Sequence, residues 1–158
     1  MSGKQNLYIG RAGQMAVMAE FLWRGLNVAF PEVDVGDDVF VVKDETGELW
    51  RVQVKTASAG PLSDGYSAQF NISLSQLENP RTPDLVYIFA VRSSSGWEPF
   101  VIIDRETLWQ EHLTYGVGSV SQGSVVLRFS TQAGKLRCSD RDFLSYRNNW
   151  SRWPVIRH

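Results

Sequence analysis

The chain has 158 residues, 43% hydrophobic and 21% charged, with 16 Lys and Arg against 17 Asp and Glu for a net charge of −1. That length and balance predict one soluble domain spanning 1–158 and argue against a broadly basic nucleic-acid-binding surface, so any such partner must be met by a local patch. No basic start followed by an apolar run and no membrane-length apolar stretch is present, and Cys138 is alone, which predicts a reducing cytoplasm, no membrane, and neither an intrachain disulfide nor a thiolate cluster.

Residues 10–25 read as the first helix: Met15, Met18, Leu22 and Leu26 follow helical spacing, and Gly25 is a natural stop. Gly10 and Gly13 at its start allow close backbone approach. Residues 27–30 form a short strand ended by Pro31, and an acidic loop follows with Glu32, Asp34, Asp37 and Asp38. Residues 38–55 read as two strands. Val39 and Val41 alternate with Asp38, Phe40 and Val42, and Trp50, Val52 and Val54 alternate with Arg51, Gln53 and Lys55. Asp44, Glu45, Thr46 and Gly47 form the turn between them. Lys43 then faces Glu48, and the register sets Asp38 directly across from Gln53, with Cβ atoms about 5 Å apart. Lys55, two places on, shares that face.

Residues 56–65 are small and polar and read as a loop. A strand over 67–72 and a helical turn over 75–78, stopped by Pro80, come next. Residues 85–91 are a continuous apolar run, a central strand covered on both faces. A strand follows at 100–103, and Asp104 caps a helix from 105 to about 113. Residues 115–123 read as a Gly- and Ser-rich loop and 124–129 as a strand. Ser139 or Asp140 caps a last helix reaching about 149, and the tail 150–158 carries Trp150, Arg152, Trp153 and Arg157. Helix, strand, hairpin, then strands alternating with helices predict an α/β sandwich with a mixed sheet.

The hairpin brings together a carboxylate, an amide oxygen and an ammonium beside an apolar sheet, the layout of a small Mg²⁺ site. Hydrolysing a phosphodiester needs an activated water and stabilised negative charge, and Mg²⁺ takes oxygen ligands while keeping several waters. Asp38 is the anionic ligand, the Gln53 side-chain oxygen and the Val54 carbonyl complete the protein's share, and Lys55 serves the water or the developing charge. The same residue types are also ordinary on the solvent face of a sheet. Glu32 and Asp34 read as solvated loop acids whose repulsion a bound metal would relax. From the first helix either Gln14 or Glu20 can reach such a site, but not both, because they lie roughly 240° apart around the axis. Arg24 is a ready i, i+4 partner for Glu20. Arg141, Arg147, Arg152 and Arg157 with Trp150 and Trp153 suit phosphates and bases, although core or dimer contact is the favoured reading of the two tryptophans. His112 stands near a helix end, where the dipole favours a cation. Neither it nor His158 has a partner suggesting a triad or zinc site, and no nucleophile elbow or P-loop appears.

This succession of helix, strand, acidic loop, Asp-led strand, turn and Val-Gln-Val-Lys-Thr resembles the PD-(D/E)XK nuclease superfamily, which includes type II restriction enzymes and archaeal Holliday-junction resolvases. It is most similar to small bacterial members with a Gly-x-x-Gly-Gln or Gly-x-x-Gly-Glu helix start. The likeness covers about residues 10–57. It implies an α/β/α sandwich with a central mixed sheet, and Mg²⁺- or Mn²⁺-dependent endonuclease action on DNA, with water attacking in line and leaving a 5′-phosphate. Asp38 matches the metal-binding Asp, with Asp37 as the alternative if the register moves by one. Lys55 matches the Lys, and Gln53 stands where Asp or Glu is usual, which removes one negative charge. Gln14 occupies the place where the family's helix Glu commonly sits, while Glu20 is the only acid on that helix. Two cuts on a duplex would require a homodimer. The alternative is a nuclease fold kept as a module that binds nucleic acid or a protein partner without turnover.

Overall fold

The first helix, α1, runs over Gly3–Trp23 in the computed structural model, which describes residues 3–156. It ends as expected at Gly25, whose φ is 75°. The Gly25 N–H donates to Leu22 O and the Leu26 N–H to Phe21 O, the paired bonds of a Schellman stop. Its buried face differs from the predicted one. Gly13, Val17 and Phe21 turn inward, while Met15 and Leu22 are exposed. The reason lies at Gly13, where an added Cβ would fall 2.0 Å from Thr56 Oγ1. The bare glycine marks the closest approach of helix to sheet, and the residues one and two turns later follow it in.

After α1 come β1 (Asn27–Ala29), β2 (Val39–Lys43), β3 (Glu48–Ser58), β4 (Gly60–Leu62), β5 (Gly65–Ser73), α2 (Leu74–Glu78), β6 (Leu85–Ser93), β7 (Gly96–Trp97) and β8 (Val101–Asp104). Then follow α3 (Arg105–Tyr115), β9 (Ser119–Ser121), β10 (Ser124–Gln132), β11 (Lys135–Cys138), β12 (Arg141–Asp142) and a 3₁₀ turn, Leu144–Tyr146. The β2–β3 hairpin has the expected register, from Lys43 opposite Glu48 to Val39 opposite Val52. Asp104 caps α3 as expected, its Oδ1 accepting the Thr107 N–H at 2.8 Å.

The first sheet has the order β1-β2-β3-β6-β7, with β8 also on β6. It is mixed, because β3 and β6 run parallel from Arg51 opposite Leu85 to Ser58 opposite Arg92. β6 is the central strand covered on both faces. Val86, Ile88 and Ala90 pack with Val52, Val54, Val17 and Phe21, while Tyr87, Phe89 and Val91 pack against Phe70, Ile72, Leu127 and Phe129. The latter residues belong to a second, wholly antiparallel sheet of order β12-β11-β10-β5-β4, with β9 on β10.

The fold is therefore α/β with a mixed sheet, but the expected α/β/α layering is corrected: a β-sheet covers the face where a helical layer was predicted. Three segments carry the difference. Residues 56–65, read as loop, hold the end of β3, then β4 and the start of β5. Residues 115–123, also read as loop, contain β9. The predicted last helix over 139–149 is β12 and a 3₁₀ turn. β9, β11 and β12 are each joined to the sheet by a two-residue turn with positive φ at both places: Gln122-Gly123, Ala133-Gly134 and Ser139-Asp140. That conformation suits the twist of a hairpin, so Ser139 and Asp140 turn a hairpin instead of capping a helix.

Trp150 and Trp153 are buried, with ring centroids 5.5 and 4.8 Å from Phe21. They close the core over α1. Of the predicted basic tail, Arg141 pairs with Glu111 and Arg152 lies 3.8 Å from Asp104, while Arg157 and His158 lie outside the described residues. His112 sits at the end of α3, its Nδ1 2.7 Å from Val117 O. Among the described residues no helix is long and apolar enough to cross a membrane.

Candidate metal centre

The hairpin ladder continues one residue past β2. The Asp38 N–H donates to Val52 O at 2.9 Å, which delivers the Asp38 side chain to the face of β3 that carries Gln53. Its Oδ2 accepts two bonds, from Gln53 Nε2 at 2.5 Å and from the Val54 N–H at 2.7 Å. The N–H and C=O of one strand residue point to the same edge, so the Val54 carbonyl also faces this edge, beyond the end of β2. Lys55 lies on the Gln53 face and is close enough to help stabilise the Asp38 carboxylate. Burial nevertheless pushes the Asp38 carboxyl above its ordinary range, and Asp34 pushes the same way; the Val54 N–H, Lys55 and Gln53 oppose them. A partly desolvated carboxylate with a second acid nearby is a site that gains from a cation.

A polar relay stands behind Asp38. Tyr87, fully buried and directly beside Gln53 in the parallel register, donates its hydroxyl to Gln76 Oε1 at 3.1 Å. Gln76 Nε2 donates to Gly36 O at 2.6 Å and to Gln53 Oε1 at 3.2 Å. Gln53 thus presents its NH₂ to the carboxylate and its oxygen to Gln76. Burial holds the Tyr87 hydroxyl protonated, far above its ordinary range, so it stays a donor and sets the direction of the chain. The loop before Asp38 is clamped as well. Asp37 is buried between Arg51, at 2.6 Å, and Arg81, at 2.9 Å, and Arg81 also donates to Val35 O. At Gly36, with φ of 94°, a Cβ would fall 2.2 Å from Gln76 Nε2 and push that amide off its bonds.

Of the residues singled out in the sequence, the fold joins Asp38, Gln53, the Val54 backbone and Lys55 at one edge. Asp37 is one residue away, but both its oxygens are taken by guanidinium groups. Gln14 and Glu20 are not brought there. α1 packs on the Val52 and Val54 side of the first sheet, opposite Gln53; Gln14 accepts a bond from Arg11 at 3.1 Å, and Glu20 pairs with Arg24 at 3.6 Å.

Among the described residues no three His, Cys, Asp or Glu side chains gather as a metal cluster, so a cation here would meet one carboxylate and neutral oxygens. Asp38 Oδ1, not used by either bond, and the Val54 carbonyl fit a hard dication as they stand. Gln53 Oε1 fits only after its amide turns away from Gln76.

Gly36, Arg51, Gln76, Arg81 and Tyr87 were not identified from the sequence. One signal existed. Ser73 and Gln76 have capping-box spacing, and Ser73 Oγ does accept the Gln76 N–H at 3.2 Å. The Gln76 side chain, however, does not return to Ser73 but reaches across to Gln53, which local spacing does not reveal.

No protein-family model and no curated protein matches the chain. Among solved structures the chain is similar to a bacterial homing endonuclease, I-Ssp6803I, with a TM-score of 0.54 and 21% identity, over 95% of this chain and 89% of that one. At that identity the likeness is one of fold.

Proposed function

We propose that the protein is a metal-dependent DNA endonuclease of PD-(D/E)XK type, with Asp38 and the Val54 carbonyl as the main ligands of Mg²⁺ or Mn²⁺. The observation that supports this most is the convergence on Asp38 Oδ2 of Gln53 and the Val54 N–H, with Lys55 on the same face, in a fold like that of a homing endonuclease. When bound, the dication supplies Lewis-acid polarisation of the phosphate and a water of lowered pKa. The chain's own residues do the rest. The Val54 N–H and Gln53 fix the carboxylate, and the relay from Tyr87 through Gln76 holds Gln53. Lys55 orients the attacking water and offsets negative charge developing on the phosphate oxygens. Asp37 anchors the loop, and Gln14 and Glu20 drop out of the ligand set. A homodimer would offer one such centre to each strand of a duplex.

The test is cleavage of supercoiled and linear duplex DNA with Mg²⁺ or Mn²⁺. Asp38→Ala and Lys55→Ala should each lose about 10²-fold or more in rate while keeping the wild-type circular dichroism spectrum. Unchanged rates in both variants would eliminate this centre.

A second reading, a nuclease fold that binds without turnover, draws on the single carboxylate and on a Gln53 oxygen already engaged by Gln76. Calorimetry separates the two: absence of Mg²⁺ and Mn²⁺ binding at millimolar concentration favours the second.

A further inference from the structure

The outer face of the second sheet points away from both hydrophobic clusters. β5 presents Gln69 and Asn71 there, β10 presents Arg128 and Gln132, and β11 presents Lys135 and Arg137, all exposed. The other outward positions on these strands are serines, Gly65 and Val126. In a chain with more acids than bases, these three adjacent strands present cations and no carboxylate; Asp142 of β12 lies directly across from Arg137, and Asp64 and Asp140 border the hollow that Lys135 and Arg137 line. Gln69 lies directly across from Arg128, and Ser130 directly across from Arg137.

The arginines here are also unlike most others. Arg24 pairs with Glu20, Arg51 and Arg81 with Asp37, Arg105 with Asp84, and Arg141 with Glu111. No side-chain hydrogen bond, ion pair or ring contact among the described residues engages Arg128 or Arg137. Their forks are free for a ligand.

We propose that this face docks in the major groove of duplex DNA and reads base edges, chiefly through Gln69, Arg128 and Arg137, with Lys135 on a phosphate. Arg pairs with the O6 and N7 of guanine, and Gln or Asn with the N6 and N7 of adenine. Three strands at sheet spacing span about 10 Å, which matches a major groove about 12 Å wide. The face carries no aromatic side chain, so it lacks the stacking platforms that hold single strands. The chain links it to the proposed catalytic edge: β5 ends at Ser73, the cap of α2, whose Gln76 is bonded to Gln53. The inference rests on the nuclease reading for its substrate class and adds to it the surface that recognises sequence.

The experiment selects from a randomised duplex library with the intact chain in EDTA, then titrates the selected duplex at several salt concentrations. Arg128→Ala and Arg137→Ala should each weaken the selected duplex by roughly 5- to 150-fold and relax the consensus at one position. Lys135→Ala should weaken all duplexes alike and lower the salt slope by about one. Binding of the selected duplex with no cleavage once Mg²⁺ or Mn²⁺ replaces the EDTA would defeat the nuclease reading and leave this one standing. Wild-type affinity and consensus in the sheet variants would overturn the proposal, as would equal competition by single-stranded DNA or duplex RNA, or no duplex binding at all.

Discussion

Gln53→Glu restores the acid that the sequence resemblance expects, and its cost can be worked from the contacts around Asp38. Gln53 is 6% exposed and gives its NH₂ to Asp38 Oδ2 at 2.5 Å. The substitution removes a charge-assisted bond worth about 1.5–3 kcal/mol and sets two carboxylates together, which repel by about 4 kcal/mol at 4 Å and an effective dielectric constant of 20. Keeping one proton on the pair limits the damage. Holding a carboxyl of ordinary pKa about 4.3 protonated at pH 7 costs about 3.7 kcal/mol, so the metal-free variant should lose about 3–4 kcal/mol near neutrality. The sign with pH follows from the proton count. The folded variant keeps a proton that the unfolded chain releases, so its stability rises as pH falls from the raised folded pKa toward the ordinary unfolded value. Mg²⁺ offers the other relief, adding about 2.7 kcal/mol at one hundred times its Kd. The assay is urea denaturation at about pH 7.5 and about pH 5, with EDTA or with Mg²⁺, since both effects are linkage equilibria. A loss at neutral pH that neither acid nor Mg²⁺ restores would show that the two carboxylates do not share a site.

Asp38→Asn should abolish cleavage yet leave the protein at least as stable as wild type near neutrality. Burial raises the Asp38 carboxyl, so the wild type loses stability as pH rises through that folded pKa; a marked fall in Tm would contradict this. Gly36→Ala should cost about 1–3 kcal/mol, from positive φ and from a Cβ 2.2 Å from Gln76 Nε2, and slow cleavage with it; unchanged urea stability would count against the relay. Arg105→Ala removes a guanidinium that is 2% exposed and that bonds both oxygens of the half-exposed Asp84 and the Leu77 carbonyl, at about 1.5–3 kcal/mol. Burial raises the Asp84 carboxyl, but its bonds from Arg105 and from the Leu85 and Arg81 N–H groups outweigh that and lower it. The stability Asp84 contributes is therefore present above its unfolded pKa and lost as pH falls through the lower folded value. Denaturation midpoints on acidification should show this loss lessened in Arg105→Ala, and an unchanged acid profile would refute the pairing.

The hairpin was legible because its information is local. Alternating valines, a Gly-ended turn and a fixed period of two set Asp38 beside Gln53 and Lys55 before any tertiary contact is known. The capped α3, the buried β6 run and the glycine stop of α1 were legible for the same reason. The inward face of α1 was misread, because its hydrophobic residues at 15, 18 and 22 also follow helical spacing and only Thr56, packed onto Gly13, shows which face is buried. The hairpins of the second sheet were missed where their turns lack the usual residues: Ser139 and Asp140 cap helices as readily as they turn strands.

What the sequence determined by itself is the pairing of neighbouring segments and so the inner edge of the candidate centre. What the tertiary structure alone decided is everything that arrives from a distance: the second sheet in place of a helical layer, the two arginines that occupy Asp37, and Gln76 reaching back from α2. The physical reason is that a polar side chain has no fixed role of its own. An amide donates or accepts according to which partner folding places within about 3 Å of it, and that partner can stand anywhere in the chain.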